Sequence, residues 1–271
     1  MVIACLLGGQ TGTHSAAAVA VQTASTFSST GFGLMVGTGG GVPSEKAGVR
    51  LGDMVVSKPH RRHGGLVQYD SGKATASGFK RTGALNTPPT VLLNAVAIVR
   101  AKQIRGQGKL VEHPFKLDSM PGFTREAAGP EFLFEAEHEH AGRAATCGKC
   151  STEPAVDREA RRQEIVVHHG NIALGNQVIK DAAMRDQLSK ELYEMLCFEM
   201  EADGSMNSFP CFAVRDVCAT TRTRTGISSG RRMRRAQRQR TRRNVLSVIS
   251  PEDVAKARTT GETMRAASGW M

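Results

Sequence analysis

The chain has 271 residues, 40% hydrophobic and 5% aromatic, with a formal net charge of +11. That length accommodates one good-sized α/β domain with its own core, and no stretch approaches the ~18–20 consecutive apolar residues of a membrane-spanning helix. The charge argues against a basic nucleic-acid-binding body: ten arginines and no acid fall between Val217 and Arg243, the remainder is close to neutral, and such a run reads as a solvated tail rather than a sequence-specific surface.

In chain order, Val2–Leu7 is a short apolar run without a basic leader, which predicts a buried strand rather than a signal peptide. Six scattered cysteines form no disulfide framework, so a reducing, intracellular and cytoplasmic setting is expected. Ser15–Thr26 is rich in Ala and Val and predicts a helix. Leu34–Val36 predicts a buried strand running into a turn made by Gly37, Gly39, Gly40 and Gly41, and Asp53–Ser57 a further strand. Thr87–Ile104 predicts a helix: Pro88 and Pro89 suit its start, and Val91, Leu92, Ala95, Ile98 and Ala101 recur at helical spacing. Residues 106–162 are polar and read as an insertion or long loop region. Glu164–His169 is strand-like, and Ala182–Leu196 predicts an amphipathic helix with Met184, Leu188, Leu192 and Met195 on one face. Strand, glycine turn and helix in repetition argue an α/β fold with a mixed or parallel sheet.

Three segments carry candidate chemistry. In Leu34–Pro43 (LMVGTGGGVP) a strand ends in clustered glycines, whose backbone N–H groups, with the Thr38 hydroxyl, could bind phosphate or sugar oxygens. It is not the G-x-x-x-x-G-K-[ST] pattern of a nucleotide P-loop. In Cys197–Gly204 (CFEMEADG) two carboxylates, Glu199 and Glu201, flank Met200. A carboxylate accepts two hydrogen bonds at once and so can grip vicinal ribose hydroxyls, and methionine offers an apolar surface to the sugar face. A helix start with acids near its positive end would look the same. In the insertion, Cys147 and Cys150 (CGKC), with His138 and His140 upstream, could hold a structural zinc or be two free thiols in a loop.

Taken together and in order, MVGTGGGVP, RLGDMVVS, GNQVIKD and FEMEADG resemble the nucleoside phosphorylase/methylthioadenosine–S-adenosylhomocysteine nucleosidase superfamily. The likeness is to the version at the N-terminus of fungal NACHT-type receptor proteins, which GQTGTHSAAAVA, HGGLVQYDSGK and GALNTPPTVLLNA also match, over about Val2–Val217 and Val245–Arg258. The resemblance implies an α/β fold, a three-layer α/β/α sandwich, and cleavage of the N-glycosidic bond of purine nucleosides by phosphorolysis or hydrolysis through an oxocarbenium-like sugar. It implies that Gly12, Thr13, Thr38, Gly39 and Gly40 border the phosphate or attacking water, that Met200 and Glu201 hold the ribose, and that Gln177 contacts the base. It implies no organic cofactor, phosphate at most as co-substrate, and a purine nucleoside as partner. A homo-oligomer is compatible with it, and neither a membrane nor a specific nucleic acid is expected. Met35 stands where bacterial-type phosphorylases of this superfamily usually carry a phosphate-clamping arginine, which tilts the expectation toward hydrolysis or toward a phosphate grip supplied elsewhere.

The resemblance also shows departures. The family's first strand is expected to precede Val2. After a segment like FAVRDVC the family reads close to Cys-Asp-Tyr-Ala-Asp-Ser-His, and the aspartate following that cysteine protonates the base; here Cys218 is followed by Ala219, Thr220, Thr221 and Arg222. The catalytic acid is therefore unassigned, since neither Asp203 nor Asp216 matches the motif. Residues 218–225 can be encoded so that an alternative reading frame restores the family motif, and Arg232–Asn244 so that it yields an alanine-rich helix. The chain accordingly divides into a phosphorylase-like domain, 1–218, an Arg-rich segment read as frameshifted, 219–244, and a C-terminal tail, 245–271. An enzyme impaired in cleavage and a non-catalytic nucleoside-sensing receptor domain are the two readings.

Overall fold

The computed structural model describes residues 1–44, 46–107, 132–135, 155–161, 165–202, 210–219, 223–224, 246–257, 259 and 261–262. Its centre is a mixed seven-stranded sheet in the order β3-β8-β9-β1-β10-β2-β7. The strands are β1 (Gly33–Gly41), β2 (Met54–Ser57), β3 (Leu66–Gln68), β7 (Val167–Gly170), β8 (Ile172–Leu174), β9 (Cys197–Glu199) and β10 (Cys211–Ala219). β1 runs parallel to β10 and antiparallel to β9, and β10 runs antiparallel to β2. β7 and β8 are one extended stretch interrupted only at Asn171, yet β7 closes one end of the strand order and β8 lies next to the other. A single stretch paired near both ends forces the sheet to curl.

Side-chain alternation along the strands divides the apolar residues into three clusters. Met35, Val55, Leu66, Ile172, Leu174, Cys197, Ala213 and Val217, from six strands, meet on the concave side. On the convex side α2 (Thr90–Ile104) lays Leu92, Ala95 and Val96 over Val56, Phe212 and Val214, with Leu34 and Val36 against them. Farther round, α3 (Ala182–Glu191) contributes Leu188 to a cluster with Val67, Ala173 and Phe198. α1 (Thr13–Thr26) precedes β1, and α4 (Pro251–Lys256) starts at Ser250, whose hydroxyl accepts the Asp253 N–H at 3.0 Å.

Several expectations change. Val2–Leu7 is coil with Ile3 and Leu7 67% and 68% exposed: no strand among the described residues pairs with it, and a strand without a ladder partner has nothing to hold it. The glycines after Val36 do not form a turn; they continue β1 to Gly41, held by β10 on one side and β9 on the other. The helix expected over Ala182–Leu196 stops at Glu191, followed by two left-handed residues, Tyr193 (φ 63°) and Glu194 (φ 66°). Its face is rotated from the predicted one, burying Arg185 and Ser189 while Met184 stays 42% exposed. Inside the insertion, β6 (Phe132–Leu133) pairs with β11 (Thr223–Arg224), so part of the arginine/threonine run lies in a ladder. A two-stranded hairpin, β4 (Gly72–Thr75) and β5 (Gly78–Arg81), stands apart from the main sheet. Among the described residues no helix is long and apolar enough to cross a membrane.

Candidate functional site

The concave face of β1 is nearly bare because Gly37, Gly39 and Gly41 alternate onto it. That absence of side chains makes room for charge. Arg215, opposite Gly37 in the β1–β10 ladder, lays its guanidinium over that glycine so closely that a Cβ would overlap Nη1. At Gly39 a Cβ would meet the Phe198 carbonyl oxygen at 2.9 Å and Cys197 Sγ at 3.3 Å.

Arg215 is 2% exposed and donates through Nη2 to Glu199 Oε2 and through Nη1 toward Glu201 Oε2 at 3.3 Å. The two glutamates, equivalent in sequence, differ in the fold. Glu199 is buried on β9, and its carboxylate also accepts the backbone N–H groups of Glu201 at 2.9 Å and Ala202 at 3.0 Å. Burial pushes its carboxyl above the ordinary glutamate range, against the pull of Arg215 and those N–H groups. Glu201 lies past the end of β9 with its side chain 24% exposed. Glu199 is therefore committed to holding the turn, and Glu201 is the carboxylate that retains accepting capacity toward a ligand.

The ends of β8 and β9 lie side by side, so the segments that follow them are neighbours. Gly175 N–H donates to the Glu199 carbonyl at 3.2 Å. Asn176 N–H donates to Asp70 Oδ2 at 2.6 Å, and the Tyr69 hydroxyl donates to the Gln177 carbonyl at 3.2 Å. Tyr69 stands edge-on to Phe198, centroids 5.7 Å apart, and burial followed by the charge of Asp70 raises its hydroxyl to about 12. The start of α1 abuts the same loop: Gly12 has φ 92°, which favours glycine, and a Cβ there would lie 2.9 Å from Asn176 Oδ1. Thr13 beside it is 8% exposed. Gly12, Thr13, Gln177, Met200 and Glu201 are thus gathered around the paired ends of β8 and β9.

Thr38 and Gly40 stand differently. Alternation puts Thr38 on the convex face with Leu34 and Val36, across β1 from Arg215 and the carboxylates. The ladder register with β10 shifts between Gly39 and Gly40, so that Gly39 faces Val217 while Gly40 faces Ala219. A Cβ at Gly40 would meet nothing within 4 Å among the described residues. Asp216 is fully buried in mid-strand opposite Met54, and Asp203 falls outside the described residues. His138, His140, Cys147 and Cys150 also fall outside them, and among the described residues no group of three or more His, Cys, Asp or Glu side chains could hold a metal ion.

Arg215, Tyr69 and Asn176 belong to this arrangement and were not singled out from the sequence. A usable signal existed for the first: two glutamates two apart, one of them buried, need a buried counter-charge, and the arginine of FAVRDVC is the one that alternates with core residues.

No family model matches the chain. It is 40% identical over 221 residues, 80% of its length, to a nucleotide-binding leucine-rich repeat (NLR)-like protein of Hyaloscypha variabilis, and spans 22% of that relative's length. Among solved structures it is similar to a Borrelia burgdorferi protein assigned as a 5′-methylthioadenosine/S-adenosylhomocysteine nucleosidase and bound to adenine. That likeness has a TM-score of 0.53 at 15% identity, covering 90% of this chain and 82% of that one. It is also similar to the Colwellia psychrerythraea nucleosidase of the same kind in complex with adenine, with a TM-score of 0.50 at 14% identity, covering 88% and 75%. The curled mixed sheet is the fold of solved methylthioadenosine/S-adenosylhomocysteine nucleosidases, and the chain is related in sequence to an NLR-like protein.

Proposed function

We propose that this chain is a purine-nucleoside-binding domain of the nucleosidase type whose cleavage of the N-glycosidic bond is impaired. The observation that carries the reading is Ala219, set opposite Gly40 in the ladder, where the resemblance expects the aspartate that protonates the leaving base. Glu201 would accept hydrogen bonds from the ribose hydroxyls, Met200 would lie under the sugar, and Gln177 would meet the base. Gly12, Thr13 and the Thr38–Gly40 stretch would border the attacking water or phosphate. In support, Glu201 is partly exposed and anchored by Arg215, and solved proteins of this fold hold adenine. Without an acid the purine must leave as an anion or take its proton from water, which costs on the order of 10²–10⁴ in rate.

The test measures free-base release from adenosine, inosine and methylthioadenosine, with and without phosphate, beside calorimetric binding of the same nucleosides. Binding with very slow release is expected, together with a gain of roughly 10²–10⁴ in Ala219→Asp and, with Met35 in place of a phosphate-clamping arginine, no dependence on phosphate. Release by the unaltered chain as fast as by Ala219→Asp sinks the reading.

A second reading, an intracellular nucleoside sensor without turnover, is favoured by the NLR-like relative, of which the chain spans 22%. It expects tight nucleoside binding and no release even in Ala219→Asp. In both readings residues 1–218 form the ligand-binding domain, and 219–244 and 245–271 are appended to it.

A further inference from the structure

At the starts of β8 and β9, the ends away from Gln177 and Glu201, two turns face each other. One joins β2 to β3 and contains His60, Arg61, Arg62 and His63; the other joins α3 to β9 and contains Tyr193 and Glu194. His60 and His63 exchange backbone hydrogen bonds of 3.1 Å, and Asn171, just before β8, donates its side-chain N–H to the His60 carbonyl at 3.3 Å. Arg62 crosses the gap, its guanidinium 4.1 Å above the Tyr193 ring centroid and bonded to the Tyr193 hydroxyl.

Three observations mark this place. Every non-glycine residue with left-handed φ among the described residues is here: Arg61 (53°), Tyr193 (63°) and Glu194 (66°). Such conformations gather where the surroundings impose a geometry for use. The charge is one-sided: His60, Arg61 and Arg62 are exposed, Arg81 at the base of the β4–β5 hairpin adds to them, and the nearby acid Glu194 is engaged by Lys46 at 3.0 Å. Finally, His63 is 91% buried, bonds the Leu192 backbone through one side of its ring, and leaves Nε2 buried without a partner. A buried polar atom left bare in this way calls for a partner that the protein itself does not supply.

We propose that the His60–His63 turn, the Tyr193–Glu194 turn and Arg81 form a second, anion-binding site for a phosphate or phosphomonoester, with His63 Nε2–H and Arg62 donating to its oxygens. Burial, then Arg81 and Arg62, holds the His63 imidazole below its ordinary value of 6.5, against the Leu192 backbone bond, which raises it; Glu194 in the facing turn is drawn to Lys46, Arg61 and His60. The groups around the ring are Arg62 from its own turn, Arg81 from β5, Tyr193, whose ring centroid is 6.0 Å away, and the Leu192 backbone. An anion seated among them cancels the two guanidinium charges and raises the imidazole's proton affinity. Binding therefore takes up a proton and tightens as pH falls toward the ordinary histidine range. The site does not depend on the nucleoside reading, because the two lie at opposite ends of β8 and β9.

The experiment titrates the full chain with millimolar inorganic phosphate by calorimetry at about pH 8 and about pH 6, in two buffers of different ionisation enthalpy. Saturable binding is expected, with proton uptake at the higher pH, where phosphate is the dianion; the same titration with sulfate, whose charge does not change over this interval, should show uptake and tighter binding at the lower pH. His63→Gln should remove the proton uptake and weaken binding about tenfold, since a charge-assisted hydrogen bond is lost. Exposed Arg62→Gln, which leaves the core intact, should weaken it about as much and keep the uptake. Glu201→Gln should leave both unchanged. Absence of binding, an unchanged affinity in Arg62→Gln, loss of binding in Glu201→Gln, or binding to vesicles with phosphate headgroups but not to free phosphate each overturns the proposal.

Discussion

Two glycines of β1, Gly37 and Gly40, differ in what a single methyl group would do. At Gly37 it would overlap the Arg215 guanidinium and drive it off Glu199, leaving a buried carboxylate unpaired, a change that typically costs about 3–5 kcal/mol. At Gly40 it would meet nothing within 4 Å among the described residues. Gly37→Ala should therefore lower the denaturation midpoint sharply, while Gly40→Ala should leave stability within about 0.5 kcal/mol; equal losses in chemical denaturation would contradict the geometry. The glutamates separate the same way: Glu199→Gln is expected to act on stability, and Glu201→Gln on nucleoside affinity by about 10–100-fold. The sequence showed that both belonged to one motif, but not which was committed, because that depends on Arg215 crossing from a strand sixteen residues away. His169 adds a pH signature. Burial, then Arg100, Lys58 and His168, lowers it from 6.5 to about 4, and both ring nitrogens are buried without partners. Between those values the unfolded chain binds a proton that the folded chain refuses. Stability should fall as pH drops from about 6.5 to about 4, by up to about 3 kcal/mol. In His169→Leu that slope should be much reduced in thermal melts taken across the interval, leaving the contribution of His63, which burial also holds below 6.5.

At the scale of elements, legibility followed how local each signal was. α2 was readable because Pro88, Pro89 and the spacing of Leu92 and Ala95 are all local, and it starts one residue after Pro89. The glycines of β1 were readable as a feature but not as a strand, since what keeps five glycines extended is ladder bonding to β9 and β10, supplied from residues 197–219. Val2–Leu7 misled for the reverse reason: its composition suits a strand, but no strand among the described residues pairs with it. The curl of the sheet was not legible at all, because it depends on β7 and β8 pairing with different neighbours. One residue ties the start of β2 to β7 at the rim. Asp53, just before β2, accepts from Arg161 at 2.9 Å, the Arg50 and Val166 backbones at 2.8 and 3.0 Å, and bonds His168 of β7 at 2.9 Å. Burial alone would raise its carboxyl; His168, Arg161 and the Arg50 N–H outweigh that and hold it below 3.8. This stabilisation is present above 3.8 and lost as pH falls through the lower folded value. Asp53→Ala should cost about 3–5 kcal/mol and speed proteolysis near Arg161; a variant as stable and as resistant as the original would show the cluster to be ornamental.

For the molecule as a whole, most of the net charge is carried outside the seven-stranded sheet, in a run of which Thr223–Arg224 pair with β6. The curled sheet and its helices are close to neutral, whereas the ten arginines between Val217 and Arg243 account for nearly all of the net +11. Fold and charge therefore predict separable behaviours, and the second is open to a direct test. Nucleic acid should bind this chain through phosphate neutralisation alone, because no base-reading motif accompanies the arginines. Binding of that kind releases counterions: about 6–10 phosphate contacts forfeit roughly 10³–10⁵ in affinity between about 50 and about 200 mM salt, with a log–log slope near −0.9 per contact on duplex DNA. The expected result is equal affinity for unrelated duplexes, a steep salt slope, and loss of binding when residues 222–243 are deleted, with nucleoside binding and the melting transition of the sheet domain retained. If the arginine run is a frame error, sequencing the encoding DNA across codons 215–246 should show a displaced frame. The chain read in the restored frame should then lose the nucleic-acid affinity and gain base release together, since the same substitution of frames removes the arginines and returns an aspartate after Cys218. Sequence-selective binding that survives the deletion would contradict the division, by showing that the sheet domain itself reads nucleic acid.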